Sequence, residues 1–174
     1  RWDDAASAYT AALASRAGSS ADDSALRLKL AGALAAAGRW DAALQEYQRL
    51  IIANPNDIAM NMALGNAYRQ SGRSQQALTQ YRRVNQLAPS YPFAYSRQGE
   101  LLDELGRLDE ALAAYQAAAT AAPDNADVVL TLAVAYRKRG MVAEAIAAFE
   151  AGLAIDPTRD AARLALEDLR TKGK

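Results

Sequence analysis

Carboxylates are the only side chains in this sequence that occur in the pairs acid–base chemistry uses. Asp3/Asp4, Asp22/Asp23 and Asp103/Glu104 are each direct neighbours, so on helices or loops they diverge rather than face one another across a substrate. The 174 residues include no Cys and no His, which removes thiol nucleophiles, imidazole bases, disulfides and nearly every transition-metal site. There is no Gly-rich phosphate loop, no metal-ligand spacing and no Ser backed by a base. The expectation is a chain that is not an enzyme by itself and that uses no cofactor or metal.

Charge narrows the partners further. Lys plus Arg and Asp plus Glu number 20 each, and the isoelectric point is about 6.5, so no basic field is available to hold a phosphate backbone and no nucleic-acid partner is expected. No apolar run approaches the ~18 residues that span a bilayer, which argues against direct membrane insertion. At 51% hydrophobic, 23% charged and 7% aromatic residues, the composition is that of a well-packed domain rather than a disordered segment. Abundant Ala and a preference for Arg (16) over Lys (4) point to a GC-rich, bacterial source.

With chemistry set aside, the elements that would position a binding surface come from an internal period. Pro55, Pro89, Pro123 and Pro157 follow one another at intervals of 34, and Gly38, Gly72, Gly106 and Gly140 keep the same period 17 residues earlier. Between each Gly and its Pro lie an Ala and an aromatic four apart: Ala43 and Tyr47, Ala77 and Tyr81, Ala111 and Tyr115, Ala145 and Phe149. That spacing puts both on one helical face. A second apolar-periodic stretch precedes each Gly, as in Leu64-Gly65-Asn66-Ala67-Tyr68. Each repeat therefore reads helix, Gly turn, helix, Pro-marked turn, because Gly accepts positive φ and Pro cannot continue a helix.

The sequence resembles the tetratricopeptide repeat family, whose unit has 34 residues. Numbering each repeat from Ser24, Ile58, Pro92 and Ala126, the family's small residue at position 8 is met by Ala31, Gly65, Gly99 and Ala133, and its large residue at position 11 by Leu34, Tyr68, Leu102 and Tyr136. Position 20 is Ala all four times. Position 4, a large residue in the family, is matched by Tyr95 and Val129 but not by Arg27 or Asn61. The RNA-reading pentatricopeptide family is excluded by the unvarying period of 34 and by the neutral charge. The resemblance implies an all-α, right-handed α-solenoid of helix-turn-helix repeats, a single domain over 1–174.

Within it, residues 1–16 are expected to be the second helix of a truncated repeat. Four full repeats span 24–57, 58–91, 92–125 and 126–159, and 160–172 form a C-terminal capping helix. Arg1 to Tyr9 align with Arg39 to Tyr47 at an offset of 38, so four extra residues fall between Ala17 and Asp23, read as a loop insertion, with Ser20 and Asp23 the alternative of a capping box that starts the next helix early. A solitary second helix leaves an apolar edge, and more protein is expected before Arg1. At the other end Ala162, Leu166 and Leu169 form an apolar stripe, while Arg163, Glu167 and Arg170 lie where a further helix would pack. The array is expected to end there.

By the same resemblance, first helices line a concave surface with positions 2, 5, 9, 12 and 13. The first full repeat is bare there, with Ala25, Gly32, Ala35 and Ala36 beside Leu28. The expected partner-binding residues are Met62, Asn66 and Arg69, then Phe93, Arg97 and Glu100, then Leu130, Val134, Arg137 and Lys138. Met62, Phe93 and Leu130 would make an apolar floor, or else fill gaps between repeats. Asn66 stands where the family often bonds a ligand backbone. Charges at positions 12 and 13 alternate from repeat to repeat, through Arg69, then Asp103 and Glu104, then Arg137 and Lys138. They would either pair between repeats or orient a partner. Chaperone-tail binders of the family place Lys at position 5, where this chain has Leu28, Met62, Ser96 and Leu130, so an Hsp70 or Hsp90 C-terminal tail is not the expected ligand. The function expected is a protein-protein interaction scaffold that holds a peptide or partner helix in the concave groove. The alternative is an assembly subunit that uses the convex face and the open N-terminal edge, with oligomer formation through that edge.

Overall fold

The computed structural model describes residues 1–15 and 20–172. Among the described residues there are ten α-helices and no strand: α1 (Trp2–Ser15), α2 (Ser20–Ala36), α3 (Trp40–Ala53), α4 (Ile58–Gln70), α5 (Ser74–Leu87), α6 (Pro92–Glu104), α7 (Leu108–Ala121), α8 (Ala126–Lys138), α9 (Val142–Ile155) and α10 (Asp160–Lys172). The fold class expected from the sequence, an all-α helical repeat, is the one observed.

The periodic glycines stop α2, α4, α6 and α8 by the mechanism their spacing predicts. Gly38, Gly72, Gly106 and Gly140 have φ of 74°, 77°, 71° and 71°, and the residue after each donates its N–H back across the turn, as Arg39 does to the Leu34 carbonyl at 2.8 Å and Arg73 to that of Tyr68 at 2.8 Å. These bonds satisfy carbonyls that the helix end leaves open. At the opposite ends, the Asp57 carboxylate accepts from the Met60 N–H at 2.9 Å and the Asn125 side-chain oxygen from that of Val128 at 3.3 Å, while Pro92 occupies the first turn of α6, where its missing N–H costs nothing.

The helices form two compact units, Arg1–Leu87 and Ala88–Lys174. In the N-terminal unit α1 packs on α2, α2 on α3, α3 on α4 and α4 on α5; in the C-terminal unit α6 packs on α7, α7 on α8, α8 on α9 and α9 on α10. Ala43, Ala77, Ala111 and Ala145 have no exposed surface, and Tyr81, Tyr115 and Phe149 are buried beside them. Glycine permits one further close approach. A Cβ on Gly65 would stand 2.8 Å from the Tyr81 ring, and one on Gly99 2.7 Å from that of Tyr115.

Position 4 is filled in two ways. In the N-terminal unit it is polar and paired with the second helix. Arg27 donates to the buried Glu46 at 2.9 Å, and Arg49 to the other Glu46 oxygen at 2.6 Å. The Asn61 side chain, 1% exposed, donates to the Pro55 and Asp57 carbonyls at 3.1 and 2.7 Å and accepts from Gln80. In the C-terminal unit the corresponding places hold Tyr95 with Ala114, and Val129 with Ala148.

One expectation changes. α2 has 17 residues where α4, α6 and α8 have 13, so from Ser20 onward the four extra residues lengthen a helix instead of a loop. The capping box assigned to Ser20 and Asp23 lies outside the described residues, which do not include the Ser20 side chain.

Candidate functional site

In the N-terminal unit the expected residues share α4. Met62 is 9% exposed and belongs to the core, and Asn66 is half-buried, its side-chain oxygen accepting from the Tyr81 hydroxyl at 2.8 Å. Arg69, one turn further on, is half-buried. On α2 a Cβ at Gly32 would meet nothing within 4 Å, so the sparse face read from Ala25, Gly32 and Ala36 is open space.

In the C-terminal unit, α6 carries an exposed aromatic. Phe93 is 49% exposed and meets the Tyr91 ring edge-on, with centroids 5.4 Å apart. Arg97 and Glu100, one turn along, form an ion pair at 2.8 Å. Asp103 accepts from the Tyr115 hydroxyl at 3.3 Å and pairs with Lys138 of α8 at 3.4 Å, so α6 and α8 share a salt bridge of the kind the charge alternation predicts.

Leu130, Val134 and Arg137 lie on one face of α8 and line a single cavity of about 620 Å³. Its other walls include Phe149 from α9 and Ala162 and Ala165 from α10, with Asp127, Arg159 and Asp160 at the rim. Leu130 is seated against α9 because Gly152 has no side chain; a Cβ there would lie 2.5 Å from Leu130 Cδ2. Arg137 holds its guanidinium 5.9 Å from the Phe149 ring centroid, within the range where a cation is attracted to the ring face.

The rim is anchored by the turn before α10. The Asp156 carboxylate accepts from the Thr158 hydroxyl at 2.6 Å, the Arg159 Nε at 2.7 Å and the Thr158 N–H at 3.0 Å, and these bonds, that to the Thr158 side chain foremost, hold its pKa down at about 2. Arg159 also reaches Asp127 at 2.7 Å, and its own pKa is raised by the bond to Asp156 and then by the charge of Asp127.

The structure thus gathers Leu130, Val134 and Arg137 on one cavity, pairs Arg97 with Glu100 and Lys138 with Asp103, and leaves Phe93 exposed beside Tyr91. Sequence reasoning placed Phe149 in the packing set and Asp127 on the concave face, without Phe149 as a cavity wall and without the Asp127–Arg159 pair. A signal for the first was present, since the aromatic at this place is Tyr in the other three repeats and Phe only here.

Two family models described as tetratricopeptide repeat match residues 62–126 and 104–169, and one described as bacterial transcriptional activator domain matches residues 2–90. No protein of curated function matches the sequence. Among solved structures, MamA 41-end from Desulfovibrio magneticus RS-1 superposes with a TM-score of 0.70 at 22% identity, covering 89% of this chain and 88% of its own. A thermophilic TPR protein of Thermus thermophilus gives 0.65 at 23% identity over 98% and 91% of the two chains. A tetratricopeptide repeat protein from Parabacteroides merdae gives 0.75 at 18% identity over 97% of this chain and 65% of its own. At these identities the likeness is one of fold.

Proposed function

This chain belongs to the tetratricopeptide repeat family, its first half also matching the bacterial transcriptional activator domain, and from that premise we propose that it is a scaffold which holds a peptide or helix of a partner protein on the first-helix faces of its repeats. A protein-interaction role follows from the family, whose fold is typically non-catalytic. Among the described residues no helix is long and apolar enough to cross a membrane.

One observation supports the groove in particular: Leu130, Val134 and Arg137 open onto a cavity of about 620 Å³. We assign partner contacts in the C-terminal unit to Phe93, Arg97, Glu100, Leu130, Val134, Arg137 and Lys138, and in the N-terminal unit to Asn66 and Arg69, with Met62 packed in the core beneath them. The proposed repeats are 24–57, 58–91, 92–125 and 126–159. A short peptide held this way would bind at about micromolar strength, about 8 kcal/mol.

The test is affinity capture from the source cell with the native chain and with Phe93→Glu/Val134→Glu, after circular dichroism shows both to be helical. A partner held by the native chain and lost by the variant supports the groove. Identical partners on both would overturn it in favour of assembly through the N-terminal edge. That second reading draws on Trp2, 58% exposed on α1, and on a cavity of about 520 Å³ between α1, α2 and α3. Light scattering that shows a strict monomer at high concentration would remove self-assembly of this chain.

A further inference from the structure

The fourth repeat departs from its neighbours where the two helices face the binding surface. In the second repeat the aromatic of the second helix is Tyr81, whose hydroxyl bonds Asn66 at 2.8 Å; in the third it is Tyr115, whose hydroxyl bonds Asp103 at 3.3 Å. In the fourth repeat Phe149 has no hydroxyl, Val134 stands at the place of Asn66, and Arg137 at that of Asp103. The polar stitch between the helices is gone. What replaces it is a guanidinium lying over a phenyl ring, at 5.9 Å, above the floor of a cavity of about 620 Å³, within the ~300–1,000 Å³ of pockets that bury a ligand.

The charges around this cavity are matched except at one point. Asp127 pairs with Arg159 at 2.7 Å and Asp160 with Arg163 at 2.5 Å. Arg137 has no carboxylate partner among the described residues. A guanidinium held 5.9 Å from a ring centroid keeps its N–H fork available, the group that receives a carboxylate in two parallel bonds. Resting on the reading of the chain as a scaffold, we infer that this cavity is a docking site for an acidic segment of a partner protein, one whose large apolar side chain enters over Leu130, Val134 and Phe149 and whose neighbouring Asp or Glu side chain pairs with Arg137. The α8 residues that line the cavity run from Asp127 to Arg137, ten steps and about 15 Å of helix, long enough for several residues of a segment, so the pairing carboxylate is placed inside a chain and not at its terminus.

The probe is an array of nine-residue peptides, acetylated and amidated to remove terminal charges, in which one Leu, Ile, Met or Phe is followed at each short spacing by Glu, Gln or Lys. Methyl spectra of the 13C-labelled full chain locate the hits. The expected result is selection of apolar–Glu peptides about tenfold over their Gln counterparts, with shifts at Leu130 and Val134. Arg137→Gln, at an exposed position, brings the ratio of Glu-peptide to Gln-peptide affinity down to about one. Phe149→Tyr with Val134→Asn, which rebuilds the second repeat's stitch, weakens all of them. A Glu preference that survives Arg137→Gln, or hits whose shifts lie away from α8, overturns the acidic-segment inference while leaving the scaffold reading intact. If no peptide binds, the inference falls, and the scaffold reading is decided by the capture experiment.

Discussion

The N-terminal and C-terminal units build one repeat grammar with opposite interior chemistry. In the first, position 4 carries Arg27 and Asn61, and nineteen residues later the second helix supplies Glu46 and Gln80 as partners. In the second, the same pair of positions is Tyr95 with Ala114 and Val129 with Ala148. A large side chain there needs only a small one opposite, whereas a buried polar one must meet a donor or acceptor. The outer faces differ in the reverse sense. The N-terminal unit keeps its Tyr81–Asn66 bond, and the last repeat of the C-terminal unit gives up the hydroxyl and opens a cavity under Arg137. The repeat is therefore specified by volume at a few places, and polarity is free to vary so long as it is satisfied locally.

The sharpest way to break this comparison is Asn61→Ala. It strands Gln80 and removes the donors that serve the Pro55 and Asp57 carbonyls, with an expected loss of about 3 kcal/mol. Because repeat arrays need not unfold in one step, the readout is hydrogen exchange in α4 and α5 of the full chain. Asn61→Val with Gln80→Ala, which copies the fourth repeat, should recover all but about 1 kcal/mol. A double variant as unprotected as the single one would show that the two interiors are not interchangeable.

A smaller effect sharpens what the units share. Gly65→Ala and Gly99→Ala each force a Cβ to under 3.0 Å from a tyrosine ring, and each should cost about 2 kcal/mol in thermal unfolding followed by circular dichroism. Gly32→Ala, which meets nothing within 4 Å, should instead stabilise by about 1 kcal/mol through helix propensity. Unequal losses at Gly65 and Gly99 would mean that the common packing is not common.

The smallest effect is confined to the C-terminal unit. Asp156 has its pKa lowered from 3.8 to about 2 in the folded chain, so the stability it lends is present above the ordinary value and is lost as pH falls through about 2. The Thr158 amide signal should titrate with a midpoint near 2. A midpoint at 3.8 would place the carboxylate free of Thr158 and Arg159. The corresponding residues in the other three repeats are Asn54, Ala88 and Ala122, so no such transition is expected in the N-terminal unit.

Much of the helical order was legible because its causes repeat. Gly at positive φ, Pro after a helix and Ala opposite an aromatic act within one repeat, through contacts between residues close in the chain, and four copies of each made the pattern plain. The binding face was less legible. Met62 reads as a groove residue and is buried in the core, since on α4 its position turns toward the interior. Leu130 reads the same way, and the space that seats it comes from Gly152 on another helix. The added length of α2 was legible only as the alternative to a loop insertion, because Ser20 and Asp23 permit an early helix start without requiring one.

The sequence by itself determined the period, the all-α helical-repeat class and the absence of thiol and imidazole chemistry, because these depend on residue type and local spacing alone. The tertiary structure decided that Arg137 stands over Phe149 without a carboxylate among the described residues while Arg159 is bound on two sides. That outcome depends on where α8, α9 and α10 meet, and no local spacing within one helix encodes which neighbour's side chain will reach a given charge.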